Sequence, residues 1–304
     1  MENKFSTPKG FGEILDHTFQ LTKNRFKDFF IILLIFMGPV YLVQAILQLS
    51  SGTSFFREVG SDGEWFDQIL TSFEESGTFD SSSLGADIGL IIIGILSAIL
   101  APVAEAAILF TINHVRRNED YSVGSVIKEA FSRFWPIIGS SILFGLISLG
   151  IIIVPIVIIA FTGVVVAAAV HPVGGILLGI VLFLVFAILV GLLLTRWSFY
   201  FGSVVLDKVS PGLGRSWRLT RKRTWVLLGL YIVFYLIISC ISFGVQMTFG
   251  MVLGNSVLLT LITNLITLVT TMIFSVGYGV MYLDAKTRHD ADDLKEMLEE
   301  FKTV

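Results

Sequence analysis

The sequence predicts an all-α fold, a polytopic transmembrane helix bundle of about six spans. Three observations predict it. The apolar residues stand in long unbroken blocks rather than in amphipathic stripes. Hydrophobic residues make up 54% of the chain and charged residues 15%, with a mean hydropathy of +0.83; soluble domains carry about a quarter charged residues. The Lys and Arg residues are gathered between alternate blocks instead of being spread along the chain.

Six blocks are long enough for a hydrocarbon core of roughly 30 Å. They are residues 29–49, 88–112, 136–170, 175–197, 225–249 and 257–283. The first follows a polar segment, and no small-x-small cleavage site comes after it, so it reads as an uncleaved span. The third contains Gly150 and Pro155, which predict a kink or tilt. The run His171-Pro172-Val173-Gly174-Gly175 predicts a tight turn before the fourth. Residues 251–256, with Gly254-Asn255, predict another before the sixth. The lone Cys240 excludes an intrachain disulfide.

Charge sets the orientation. Of 21 Lys and Arg, all but Arg57 fall in segments 1–28, 113–135, 196–224 and 284–304. The loop 50–87 sets Arg57 against Glu58, Asp62, Glu64, Asp67, Glu74, Glu75, Asp80 and Asp87. The positive-inside rule counts the basic residues flanking the spans, and it predicts a cell-membrane protein with both termini cytoplasmic. Within the 50–87 loop, Trp65-Phe66, Ile69-Leu70 and Phe73 predict a short amphipathic surface helix.

The segments before spans one, three and five are alike. Thr18-Phe19-Gln20-Leu21-Thr22-Lys23-Asn24-Arg25 matches Ser216-Trp217-Arg218-Leu219-Thr220-Arg221-Lys222-Arg223 as [ST]-aromatic-x-Leu-Thr-basic-[NK]-Arg. The middle segment places Val123, Val126, Ile127, Ala130, Phe131, Phe134 and Trp135 at helical spacing, with Lys128, Glu129 and Arg133 on the other face. An apolar aromatic face and a basic face suit a helix lying in the membrane interface. The expected unit is an interfacial helix plus a transmembrane hairpin, repeated three times within one integral membrane domain: about 8–112, 121–197 and 209–283, then a cytoplasmic tail 284–304. In the tail, Leu294, Met297, Leu298 and Phe301 recur at helical spacing.

The same segments carry a family resemblance. Gly12-Glu13-Ile14-Leu15 with Thr18-Phe19, then Ser216-Trp217-Arg218-Leu219-Thr220, then Tyr282-Leu283-Asp284-Ala285-Lys286-Thr287-Arg288 with Asp292-Asp293-Leu294, are similar to elements of the membrane domain of some glycerophosphoryl diester phosphodiesterases. The resemblance implies a membrane domain that in the family precedes a soluble catalytic domain or stands alone. The stand-alone form is expected here. His17, His114, His171 and His289 are scattered over separate segments, so no phosphodiesterase activity is expected to carry over.

Single residues stand out for their cost. Glu105 is the one carboxylate well inside a span. A charge near the bilayer centre costs at least ~2.5–3.5 kcal/mol, so it should face the protein interior, be protonated or be paired. It fits a tie to a neighbouring span, through Arg196, better than an ion, proton or substrate contact. Asn264, Thr267 and Thr271 share one face of span six by their spacing. They suit hydrogen bonds between helices or to their own backbone, or the lining of a polar pathway. Arg215, Arg218, Arg221, Lys222 and Arg223 form a basic run against a span, suited to anionic lipid at the cytoplasmic face or to a docking partner, and not to nucleic acid.

No His/Asp/Glu cluster, Ser/Lys pair or His-Glu-x-x-His motif lies at a common membrane depth. No enzymatic activity, cofactor or metal site is therefore expected. The sequence favours a non-enzymatic accessory, scaffold or protective subunit of the cell membrane, with a membrane-protein partner such as a transporter. The alternative is a transporter or lipid-handling carrier using Glu105 and the polar face of span six. A third class, an intramembrane enzyme, has no residues to carry it.

Overall fold

The computed structural model describes residues 8–56, 84–169, 171–254 and 256–302, with every side chain among them except those of 84–87, 167, 169 and 290–302. The described residues are helix and connecting turn, with no strand. Six helices are long and apolar enough to cross a membrane, as the sequence predicts.

Three short helices each precede a span. α1 (Phe11–Asn24) starts where the Gly10 N–H donates to Glu13 at 2.7 Å. It buries Ile14, His17, Thr18, Leu21 and Thr22, one helical stripe. It leads into α2 (Phe26–Ser50), and α3 (Leu84–Arg117) follows. α4 (Val123–Ser132) is capped reciprocally by Ser122 and Ser125 and buries Val126 and Ala130. Phe131 and Trp135, expected on the same apolar face, are exposed. α4 leads into α5 (Phe134–Ala169), followed by α6 (Pro172–Trp197) and the single turn and a half of α7 (Tyr200–Val205). α8 (Leu213–Thr220) leads into α9 (Thr224–Leu253), and α10 (Val257–Lys302) is the last described helix.

The three junctions share one geometry. Arg25, Arg133 and Arg223 have φ of -122°, -113° and -135° and ψ of 26°, 18° and 20°. This conformation breaks the short helix. Each arginine carbonyl then accepts the first bond of the span, from Phe29, Ile137 and Leu227 at 3.2, 3.1 and 3.0 Å. Phe36, Phe144 and Phe234 stand at the same offset beyond these arginines.

The turn before α6 is shorter than the sequence predicts. Gly174 and Gly175 lie inside the helix rather than in the turn. His171 caps α6 by accepting the Val173 N–H on Nδ1 at 3.2 Å, and Pro172 occupies the first helical position, where its missing N–H costs nothing. The expected surface helix around Trp65 and Phe66 lies outside the described residues, as do Asn255 and the side chains of Leu294, Met297, Leu298 and Phe301.

Packing arranges the spans as a closed ring. α2 lies against α3, α3 against α5, α5 against α6, α6 against α9, α9 against α10, and α10 against α2. α10 also crosses the ring to touch α3. At that contact Ile108 and Ile112 of α3 and Val276, Met281 and Tyr282 of α10 are buried. A Cβ on Gly279 would meet Ile112 at 2.6 Å, so a residue without a side chain lets the helices close up. On the other side of this contact, α3, α5, α6, α9 and α10 enclose a wider interior. Outward, Leu146, Phe161, Ile176 and Phe183 are exposed, which suits a surface bathed in lipid. α1, α4 and α8 mark one end of the ring, called here the basic end.

Candidate functional site

The wider interior holds a cavity of about 510 Å³. Glu105 of α3 reaches it, together with Phe144 and Ser148 of α5, Thr195 of α6, Tyr231 of α9, and Ser275 and Tyr278 of α10. Its walls are mainly apolar, with Leu109, Leu194, Phe201 and Phe274 contributing. No hydrogen bond or ion pair to Glu105 is found among the described residues; its electrostatic neighbour is Tyr200. The expected tie to Arg196 is not made. Arg196 lies at the basic end with its guanidinium 4.5 Å from the centre of the Trp217 ring.

A break in the fourth span shapes one wall. α6 ends at Trp197 and α7 starts at Tyr200, so backbone polar groups are freed inside the protein. Tyr278 satisfies two of them. Its hydroxyl donates to the Ser198 carbonyl at 3.0 Å and accepts the Gly202 N–H at 2.8 Å. Irregular backbone at membrane depth is tolerated where protein groups re-satisfy it in this way. The break turns Ser198 and Tyr200 toward the cavity, and Tyr200 stacks on Phe144 at 4.2 Å. The buried hydroxyls of Ser148 and Ser275 have no hydrogen-bond partner among the described residues. Tyr231 places its hydroxyl beside Ser198, outside hydrogen-bond geometry. A carboxyl and unpaired hydroxyls in an apolar chamber can hold the polar head of an amphipathic molecule while its hydrocarbon meets the walls.

Neither Asn264, Thr267 nor Thr271 lines this cavity. Asn264 donates to Gln44 Oε1 on α2 at 3.0 Å, and Thr267 donates to its own helix at the Thr263 carbonyl, 2.9 Å away. These two make the interhelical and backbone bonds that their spacing suggests. Among the described residues no group of three or more His, Cys, Asp or Glu is placed to hold a metal ion.

At the basic end the structure divides the predicted basic run. Arg223 pairs with Asp284 at 2.8 Å, and Arg288 reaches the same carboxylate at 3.0 Å. Arg215 and Lys286 both pair with Asp207, which also accepts the Tyr282 hydroxyl at 2.6 Å. Burial alone would raise the Asp207 carboxyl. The Lys286 and Tyr282 hydrogen bonds and the charges of Lys286 and Arg215 outweigh it and hold the group below its ordinary value. Between α2, α3 and α4, Tyr121 donates to Asp28 at 2.7 Å, and His114 bridges Glu119 and Glu129 at 2.8 and 3.2 Å. Burial and the bond to Asp28 push the Tyr121 phenol up to about 12. Arg221 and Lys222 instead line a groove with Arg196. Arg218 does not line it.

Sequence reasoning missed Asp207 and Asp284 as ion-pair centres. Two signals were present: Tyr282/Lys286 and Asp284/Arg288 are both i,i+4 pairs on α10.

Ring, cavity and apolar exterior together define a multi-pass α-helical integral membrane protein. Within that class, the chain belongs to the family described as "Domain of unknown function (DUF7847)", which matches residues 30–285. That description has no link to the phosphodiesterase membrane domains, so their resemblance rests on the motifs alone. No curated protein and no solved structure matches the chain.

Proposed function

We propose that this is a non-enzymatic, lipid-handling protein of the cell membrane that binds an amphipathic molecule in the Glu105 cavity. One observation carries the reading: a carboxyl with no hydrogen bond or ion pair among the described residues opens into a chamber of about 510 Å³ lined from α3, α5, α6, α7, α9 and α10. That size falls in the ~300–1,000 Å³ range of small-ligand pockets. An ionisable group placed in a span at a cost of kilocalories, with no hydrogen bond or ion pair among the described residues, is accounted for by a ligand. The ligand class is a molecule with a hydrogen-bond-donating or cationic head and a hydrocarbon body. The alike junctions at Arg25, Arg133 and Arg223 support a threefold internal repeat, a plan that places binding sites between repeats.

The distribution of Lys and Arg supports cytoplasmic termini. A compartment reporter inserted at Gly63 should read as external, and a cytoplasmic readout would reverse the orientation.

The test of function is what the protein keeps. Purified from native membranes in mild detergent, it should retain one amphiphile, identifiable by mass spectrometry after solvent extraction. Ser148→Phe, which fills the chamber, should lose it. Wild type with no retained amphiphile, or a variant that keeps the same one, would overturn the reading. A second reading, an accessory or scaffold subunit beside a transporter, is favoured by the ordered cationic surface of the basic end. A stoichiometric protein in the same preparation would support it.

A further inference from the structure

The Glu105 cavity has a floor, and α7 forms it. Tyr200 and Phe201 line the cavity, and Phe201, Gly202, Ser203, Val204 and Val205 are buried. α7 packs on α3, α5 and α8. The Gly202 N–H donates to the Tyr278 hydroxyl at 2.8 Å, a Cβ on Gly202 would meet the Tyr282 ring at 2.5 Å, and Arg133 donates to the Val205 carbonyl at 3.1 Å. Phe199 packs edge-on against Tyr278 and Tyr282 at 5.8 and 5.6 Å. Just past α7 comes Asp207 with its ion pairs to Arg215 and Lys286. This packed layer stands between the chamber and the basic end.

The chamber's polar groups lie above that floor. Tyr231 stands eight residues beyond Arg223 and Ser148 fifteen beyond Arg133, roughly 12 and 22 Å along their helices. Farther from the basic end, the hairpin of α5 and α6 offers hydrocarbon. α6 carries no polar residue from Ile176 to Leu194. Between Leu149 and Val166, α5 carries only Thr162, which donates to the Ile158 carbonyl of its own helix at 2.7 Å. The two arms pack on each other: a Cβ on Gly163 would meet the Gly175 carbonyl at 3.7 Å, and one on Gly179 would meet Ile159 at 4.0 Å. Past Ser140 no described residue of α5 is buried, and none of α6 is between Gly175 and Thr195.

A lipid standing upright in the near leaflet would put its head at the basic end, below α7, and not at these groups. Given the ligand reading of the Glu105 cavity, on which this rests, we propose that the ligand is a long-chain amphiphile held head-down. Its head meets Glu105, Ser148 and Ser275 above the α7 floor. Its chain runs out along the α5–α6 hairpin, and it exchanges with the leaflet far from the basic end.

The test is photo-crosslinking of the full chain in phosphatidylcholine vesicles with two hexadecylamines, one carrying a diazirine beside the amine and one at the chain end. Peptide mass spectrometry reads the sites. The head-labelled probe should mark residues 144–148 or 274–278, and the tail-labelled probe residues 151–166 or 176–188. Excess unlabelled hexadecylamine should remove both labels, which separates them from contact with bulk lipid. Competable marking of residues 196–224 by the tail-labelled probe, or the same competable sites for both probes, would overturn the orientation and leave the cavity reading standing. No competable label from either probe would remove both.

Discussion

The carboxylate of Asp284 accepts the backbone N–H of Lys9 at 2.7 Å, so the last span holds the start of the first helix. Arg288 returns a hydrogen bond to the Lys9 carbonyl at 2.6 Å. With Arg223 also on Asp284, one side chain at 4% exposure ties α1, α9 and α10 together. Removing one partner of a buried ion pair leaves the others uncompensated. Asp284→Asn should cost about 3–5 kcal/mol in denaturant-titrated unfolding in detergent. A loss below about 1 kcal/mol would show that the tie contributes little.

Asp207 gives the basic end a pH dependence. Its carboxyl is held below the ordinary 3.8 despite burial, because Lys286, Tyr282 and Arg215 favour the charged form. A depressed carboxyl stabilises the fold above its unfolded value, and that contribution is lost as pH falls through the lower folded value. Thermal midpoints should drop as pH is taken below about 3.8. Asp207→Asn, less stable at neutral pH, should show a smaller drop over the same range. Parallel curves for the two proteins would remove Asp207 from the account.

Gly212 opens α8 with φ of 77°, and a Cβ there would sit 2.5 Å from the Tyr200 carbonyl oxygen. Gly212→Ala should therefore destabilise by about 1–3 kcal/mol. Gly214 lies inside the same helix with open space around it. Gly214→Ala should be neutral or stabilising by about 0.5–1 kcal/mol. Equal effects in unfolding titrations would mean that the junction tolerates a side chain.

Glu105 makes no hydrogen bond or ion pair among the described residues, so its charge should be dispensable for folding. Glu105→Gln should change stability by less than about 0.5 kcal/mol and reduce retention of the bound amphiphile. A loss of several kilocalories would mark it as a structural partner instead.

The spans were legible because each is a local property. A hydrocarbon-length apolar block identifies itself without knowledge of its neighbours. The middle short helix was legible in the same way, from periodicity at Val126 and Ala130, and the first and third from the motif shared by residues 18–25 and 216–223. The cavity was not. Ser148, Tyr231, Ser275 and Tyr278 come from three helices, and each alone looks like an ordinary span residue; only Glu105 drew notice, because its cost is intrinsic to its position. The basic run misled for a related reason. Five cations adjacent in sequence look like one surface, but Asp207 and Asp284 divide them through contacts that no local pattern records.

The most direct test of the central claim is labelling of Glu105 by a lipid-soluble carbodiimide in native membranes, read by peptide mass spectrometry. A carboxyl facing a membrane-level cavity should be modified by the lipid-soluble reagent, be spared by a water-soluble one, and be protected when the amphiphile is added back. No modification at Glu105, or equal modification by both reagents, would contradict a membrane-level ligand cavity.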